Sequence, residues 1–150
     1  MSDLNDNAET LVMQLLDTAS SLEHSMDSVL ANARGISFRE YRLLKTLLQT
    51  NTGGLTRVAL SSAVSLTPSA VTRALKPLEK LGYVATVKNE RDARQSLAQL
   101  TDGGRQLLVD AENILNDFYQ RLAIIPGADA RERQQLLQQL ERLRLHSWHR

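Results

Sequence analysis

The chain has 150 residues, 42% of them hydrophobic and 23% charged, with a net charge of +1; that is one domain's worth of sequence with ample length for a core. Cysteine is absent, which excludes disulfides, thiolate catalysis and thiol-based redox sensing. The N-terminus, Met1-Ser2-Asp3-Leu4-Asn5-Asp6, is acidic and no apolar run approaches about 18 residues, so neither a secretory leader nor a membrane span is expected and the reading is a cytoplasmic protein.

The first periodic segment covers roughly Ala8 to Ala33, with Leu11, Val12, Leu15, Leu16, Ala19, Leu22, Met26, Val29 and Leu30 at helical spacing. After Gly35, Ser37 and Glu40 form a capping box, and Ile36 and Tyr41 a hydrophobic staple. That helix runs through Leu43, Leu44, Leu47 and Leu48 to a break at Asn51-Thr52-Gly53-Gly54. Thr56 then caps a short helix, with Leu55 and Leu60 as its staple, and a turn through Ala63, Val64 and Ser65 follows.

Thr67 caps the next helix, Pro68 suits its first position, and Leu66 and Val71 staple it. Val71, Ala74, Leu75, Leu78 and Leu81 make its apolar stripe, and Gly82 supplies a left-handed stop. The opposite face presents Ser69, Thr72, Arg73, Lys76 and Lys80, all hydrogen-bond donors. Such a helix of about 14 residues spans about 21 Å, enough to lie along a groove. Pro77 is out of place inside it: it removes one helical hydrogen bond and crowds the Arg73 carbonyl, a cost of about 3 kcal/mol unless the helix kinks. A kink there leaves Thr67 to Arg73 undisturbed.

Tyr83 to Val87 is rich in β-formers, with Tyr83, Ala85 and Val87 on one face, and the chain returns through Gln95 to Leu100. The intervening Lys88-Asn89-Glu90-Arg91-Asp92-Ala93-Arg94 is too polar to bury. Two helices joined by a short turn, then a charged hairpin, spell a helix-turn-helix with a wing. Thr101 caps a further long helix carrying Leu107, Leu108, Ala111, Ile114, Leu115, Phe118 and Leu122, which Pro126-Gly127 ends. Asp129 opens a last helix with Leu136, Leu137, Leu140, Leu143 and Leu145. No internal repeat or low-complexity tract interrupts this order.

Charge is unevenly distributed. Residues 1–36 carry six acids and one base, whereas residues 55–105 carry eight bases and four acids. Positive charge therefore gathers on the helix-turn-helix and wing, as a phosphate backbone requires; the bland alternative is a solvated mixed-charge surface. The terminal helices carry more leucine than the short central unit can cover. Their simplest partner is a second copy, through Leu11, Leu15, Leu136, Leu140 and Leu143, the alternative being packing within one chain. The fold class is mainly α with a small β-hairpin wing. One domain, 1–150, holds a winged helix-turn-helix at about 37–101, flanked by dimerisation helices at about 8–33 and 102–147.

Taken together, Thr67-Pro-Ser-Ala-Val-Thr-Arg-Ala-Leu-Lys-Pro-Leu-Glu-Lys-Leu-Gly-Tyr-Val84, Glu90-Arg-Asp-Ala-Arg94 and Leu100-Thr-Asp-Gly-Gly-Arg105 resemble the MarR (multiple antibiotic resistance regulator) family of winged-helix transcription factors, over roughly residues 10 to 145. The resemblance implies an obligate homodimer on a palindromic operator, commonly a repressor, often released by a small anionic or phenolic ligand. It maps helix contacts to DNA onto the Thr67–Lys76 face and wing contacts onto the tip around Arg91 and Arg94. It also gives Asp92 the role of bracing Arg94.

The candidate DNA-contacting residues are accordingly Arg57, Thr67, Ser69, Ala70, Thr72, Arg73, Lys76, Lys88, Arg91 and Arg94. Lys and Arg contacts to phosphate supply affinity and salt dependence, Ser69, Thr72 and Arg73 read base edges, and a wing arginine enters a narrow minor groove. Thr72 as a plain surface residue and Arg94 paired only to Asp92 are the competing readings. In similar proteins a pocket forms between the dimer helices and the central unit, which makes His24, Tyr41 and Arg42 the candidate ligand residues. His146 and His149 alone are a weak metal signal, and neither metal nor cofactor is expected. The chain has no G-x-S-x-G, no phosphate-binding glycine loop and no paired buried carboxylates, so it is not read as an enzyme. The alternative function is a winged-helix module that binds another protein and no DNA.

Overall fold

The computed structural model describes residues 2–50, 53–92, 94–123 and 129–146. Among the described residues the order is α1 (Ser2–Arg34), α2 (Phe38–Gln49), β1 (Leu55–Thr56), α3 (Arg57–Val64), α4 (Pro68–Lys80), β2 (Val84–Lys88), β3 (Ser96–Leu100), α5 (Asp102–Ala123) and α6 (Ala130–His146). The strands form one antiparallel sheet in the order β1-β3-β2. The chain divides into two compact units, Met1–Leu115 and Asn116–Arg150, with α5 beginning in the first and ending in the second.

In the first unit the caps act as the residue types require. Ser37 accepts from the Glu40 amide while the Glu40 carboxylate accepts from the Ser37 amide, a complete capping box. A third orphan amide of α2, that of Phe38, donates to Asp27 of α1 at 2.6 Å, which locks the two helices at that end. Ile36 and Tyr41 are each 2% exposed, the staple in place. Around them Leu30, Leu43, Leu44, Leu60, Val71, Leu75, Leu78, Leu108 and Leu115 are buried in a common core.

Four boundaries differ from the sequence reading. The first helix starts at Ser2 and ends at Arg34 rather than running from Ala8 to Ala33, since the residues before Ala8 hold no proline or glycine to stop it. Leu81 is 62% exposed: it is the C-cap, where the chain has already left the helical stripe. In β2 the fully buried residue is Val84, while Ala85 and Val87 are only half-buried, because the strand leaves the core at once and the hairpin projects outward. The two-residue β1, which pairs Leu55 with Ala98 and Thr56 with Leu97, is too short to leave a periodic signal.

Pro77 does not break α4, which runs on to Lys80; the proline lies in the final turn, and its carbonyl still accepts from the Leu81 amide. Gly82 takes φ 78° and closes a Schellman motif, with Tyr83 N–H donating to the Leu78 carbonyl and Gly82 N–H to that of Glu79. Thr101 fastens the far end of the hairpin, its hydroxyl donating to the Gly82 carbonyl and accepting from the Gly104 amide.

In the second unit, Asp129 and Glu132 form a reciprocal capping box for α6. Leu136, Leu137, Leu140, Leu143 and Leu145 are all exposed on it. The expected breaks at Asn51-Thr52 and Pro126-Gly127, and the candidate His149, lie outside the described residues, as do Ala93 and the side chain of His146.

Candidate nucleic-acid interface

The helix-turn-helix is α3, a turn in which Ser65 adopts φ 55°, and α4. Its turn is held by the Leu66 amide donating to the Ser61 carbonyl. One side of α4 is anchored by Val71, Leu75 and Leu78, at most 1% exposed. The other side is solvent-facing along Thr67, Ser69, Thr72, Arg73, Lys76 and Lys80, while Ala70 is half-buried. The buried stripe fixes the rotation of the helix, so the exposed side chains are presented as a set.

Their hydrogen-bonding capacity is unequal. Thr67 Oγ1 accepts from the Ala70 amide and lies 3.1 Å from Ser69 Oγ, so both hydroxyls are engaged in the cap. Thr72 Oγ1 donates to the Pro68 carbonyl at 2.9 Å, leaving its lone pairs and methyl group outward. Arg73 and Lys76 have no ion-pair partner among the described residues. With Lys80, they are the cationic donors this face offers.

The wing pairs Val84 with Leu100 through Lys88 with Ser96. Its tip is shaped by two side-chain turns: Asn89 Oδ1 accepts from the Arg91 amide, and Asp92 Oδ1 from the Arg94 amide, each at 3.0 Å. Lys88, Arg91 and Arg94 are exposed there. Asp92 thus holds the backbone of Arg94, whereas an ion pair between the side chains was the competing expectation; none is formed among the described residues.

Arg57 departs from the surface-cation picture. Its guanidinium donates to Ser96 Oγ (2.8 Å), Glu79 Oε1 (3.1 Å) and Thr86 Oγ1 (3.3 Å), and its side chain is 24% exposed. Sequence reasoning missed Glu79, Thr86 and Ser96 because they lie 22 or more residues from Arg57. The one available signal was Glu79 as a lone acid on a basic helix.

The three candidate ligand residues are not alike. His24 and Arg42 are exposed, but Tyr41 is buried and its hydroxyl accepts from Lys45 at 3.1 Å. Lys45 also pairs with Glu112 at 3.4 Å. The bond to Tyr41, opposed by partial burial and aided by the Glu112 charge, raises the Lys45 ammonium above its usual value. The described grooves run beside the sheet, lined by residues such as Arg57, Gln95, Lys88 and Gln99.

A helix-turn-helix with a basic outward face and a basic two-stranded wing defines a winged helix-turn-helix protein. The MarR family model matches residues 36–96 of the chain, the stretch that holds the helix-turn-helix and most of the wing. Among its relatives, an uncharacterised HTH-type transcriptional regulator of Bacillus subtilis (strain 168), YdgJ, is 31% identical over 110 residues, which cover 73% of this chain and 65% of that protein. In Streptomyces coelicolor, the MarR family transcriptional regulator Sco3205, solved in complex with DNA, superposes with a TM-score of 0.81 at 25% identity, covering 95% of this chain and 88% of that one. CouR of Rhodococcus jostii RHA1, solved bound to p-coumaroyl-CoA, superposes at 0.77 with 20% identity over 91% and 92% of the two chains.

Proposed function

We propose that this protein is a sequence-specific, DNA-binding transcriptional regulator that acts as a homodimer on a palindromic operator. The observation that carries the reading is α4: a helix locked in rotation by a fully buried stripe, presenting Arg73 and Lys76, with no ion-pair partner among the described residues, beside a wing tipped with Lys88, Arg91 and Arg94. A helix so held fits the major groove, and the wing fits the adjacent backbone or minor groove. Sco3205 in complex with DNA supports this use of the shared architecture.

The exposed leucines of α6 and of the first half of α1 support the dimer, because apolar rows of that length on a soluble chain need cover. Repression relieved by a small anionic or phenolic ligand, in the cytoplasm, completes the proposal, and CouR bound to p-coumaroyl-CoA supports the ligand class. Selection of bound sequences from a random DNA pool tests it. Recovery of a palindromic consensus, retained at moderate salt, is expected. A pool that stays random through successive rounds overturns the reading and leaves the protein-binding module in its place.

A further inference from the structure

Arg57 is the first residue of α3, Glu79 lies in the last turn of α4, and Thr86 and Ser96 lie on the two wing strands. In the hairpin register Thr86 opposes Ala98 and Lys88 opposes Ser96, so Thr86 and Ser96 share one face and one guanidinium spans both strands. Thr86 Oγ1 also donates to Glu79 Oε1 at 2.5 Å. Four side chains from four elements thus meet in one planar fork, a geometry that arginine supplies and lysine cannot.

We propose that Arg57 is a positioning residue: its fork to Glu79, Thr86 and Ser96 sets the wing against α4, and so sets where Arg91 and Arg94 meet DNA. The inference rests on the DNA-binding reading. Two contact sets, one on α4 and one on the hairpin tip, reach neighbouring grooves together only if the angle between them is held. The hairpin's other support is buried Val84 and Ala98, with β1 pairing only Leu97 and Ala98 of β3. The fork ties the second strand at Thr86, level with Ala98, and reaches Ser96, one residue beyond β1. It also accounts for a carboxylate on a helix that faces phosphate. Bare, Glu79 repels DNA; paired, it serves as the anchor for the wing.

Arg57→Lys, Glu79→Ala and their double variant separate this from simple charge effects. Lysine keeps the charge and loses the fork, so a phosphate contact by Arg57 predicts nearly unchanged binding. Loss of Glu79 removes a negative charge, so Coulomb attraction alone predicts tighter binding. The positioning role predicts the reverse: each variant weakens the selected DNA about tenfold, one lost groove contact at the low end. The double variant falls no further, and the salt slope of Arg57→Lys is unchanged. Amide exchange across Val84–Leu100, measured without DNA, should quicken in both variants while α1 and α2 keep their protection.

Wild-type-like binding by Arg57→Lys together with tighter binding by Glu79→Ala overturns the positioning role. So does unchanged exchange in the hairpin. Should the wild type bind no DNA, the functional reading fails on its own, and the exchange experiment still decides whether the fork holds the wing. Where either variant unfolds, Thr86→Val, which removes one hydroxyl and keeps the β-branched shape, takes its place with the same two readouts.

Discussion

Asp92 accepts a hydrogen bond from the backbone amide of Arg94, at 3.0 Å, and so orders the wing tip through the main chain. The Asp92 carbonyl accepts from the Gln95 amide as well, which makes the residue a two-point hub for the turn. What matters is then an oxygen acceptor, not a charge. Asp92→Asn keeps the acceptor and should bind DNA as tightly as the wild type or tighter, since a negative charge near phosphate is gone. Asp92→Ala loses both and should bind more weakly, towards the level of Arg94→Ala. Arg94→Ala should also flatten the dependence of log K on log salt by about one unit. Anisotropy titrations of the three variants at two salt concentrations check this; tighter binding by Asp92→Ala removes the bracing role.

Arg73 is the outward arginine of α4 with no ion-pair partner among the described residues, while Thr67, Ser69 and Thr72 are tied into local bonds. Base readout should therefore concentrate on Arg73. Arg73→Ala is expected to cost about 1–3 kcal/mol on the selected site and much less on random DNA. Lys80→Ala, at the far end of the helix, should weaken both alike. Equal losses on the two DNAs for Arg73→Ala assign it to phosphate instead.

Much of this was legible from local chemistry. Caps at Ser37, Thr56, Thr67 and Asp129, the staple at Ile36 and Tyr41, and the stop at Gly82 each depend on neighbours within a few residues, which a sequence displays. What escaped depends on distance along the chain. β1 exists because β3 lies beside it, and Arg57 cross-links three elements because Glu79, Thr86 and Ser96 arrive from elsewhere. Tyr41 shows the same limit: the sequence displayed neither its burial, at 2% exposure, nor the bond its hydroxyl accepts from Lys45.

Leu140 and Leu143 are 38% and 45% exposed on α6, which changes what their loss should do. Their removal leaves little hole within one chain, so Leu140→Gln/Leu143→Gln should remain helical and cooperatively folded while failing to dimerise. Light scattering at micromolar concentration, with circular dichroism as the folding control, checks both points. A folded double variant that stays dimeric takes α6 out of the interface.

Gly104, in the first turn of α5, approaches the wing's base more closely than any side chain permits. A Cβ there would collide with the Tyr83 carbonyl oxygen and lie 2.7 Å from Leu100 Cδ1. Leu100 Cδ1 can swing away, but Tyr83 cannot: its carbonyl accepts from the Thr101 amide, and its own amide closes the Schellman motif of α4. One methyl group therefore pushes α5 off the junction where helix, hairpin and core meet. Gly104→Ala gains helix propensity of about 1 kcal/mol, which on an open helix would stabilise. Overpacking against a fixed backbone costs about 1–3 kcal/mol, and collision with a hydrogen-bonded backbone oxygen places this case at the upper end. The clash wins, and the melting temperature should fall. Gly103→Ala is the internal control, since its Cβ meets nothing nearer than 3.7 Å; it gains the propensity without the clash and should melt at or above the wild type. Thermal unfolding of the two variants side by side decides it, and a Gly104→Ala protein as stable as the Gly103→Ala one removes the close approach as a constraint on the fold.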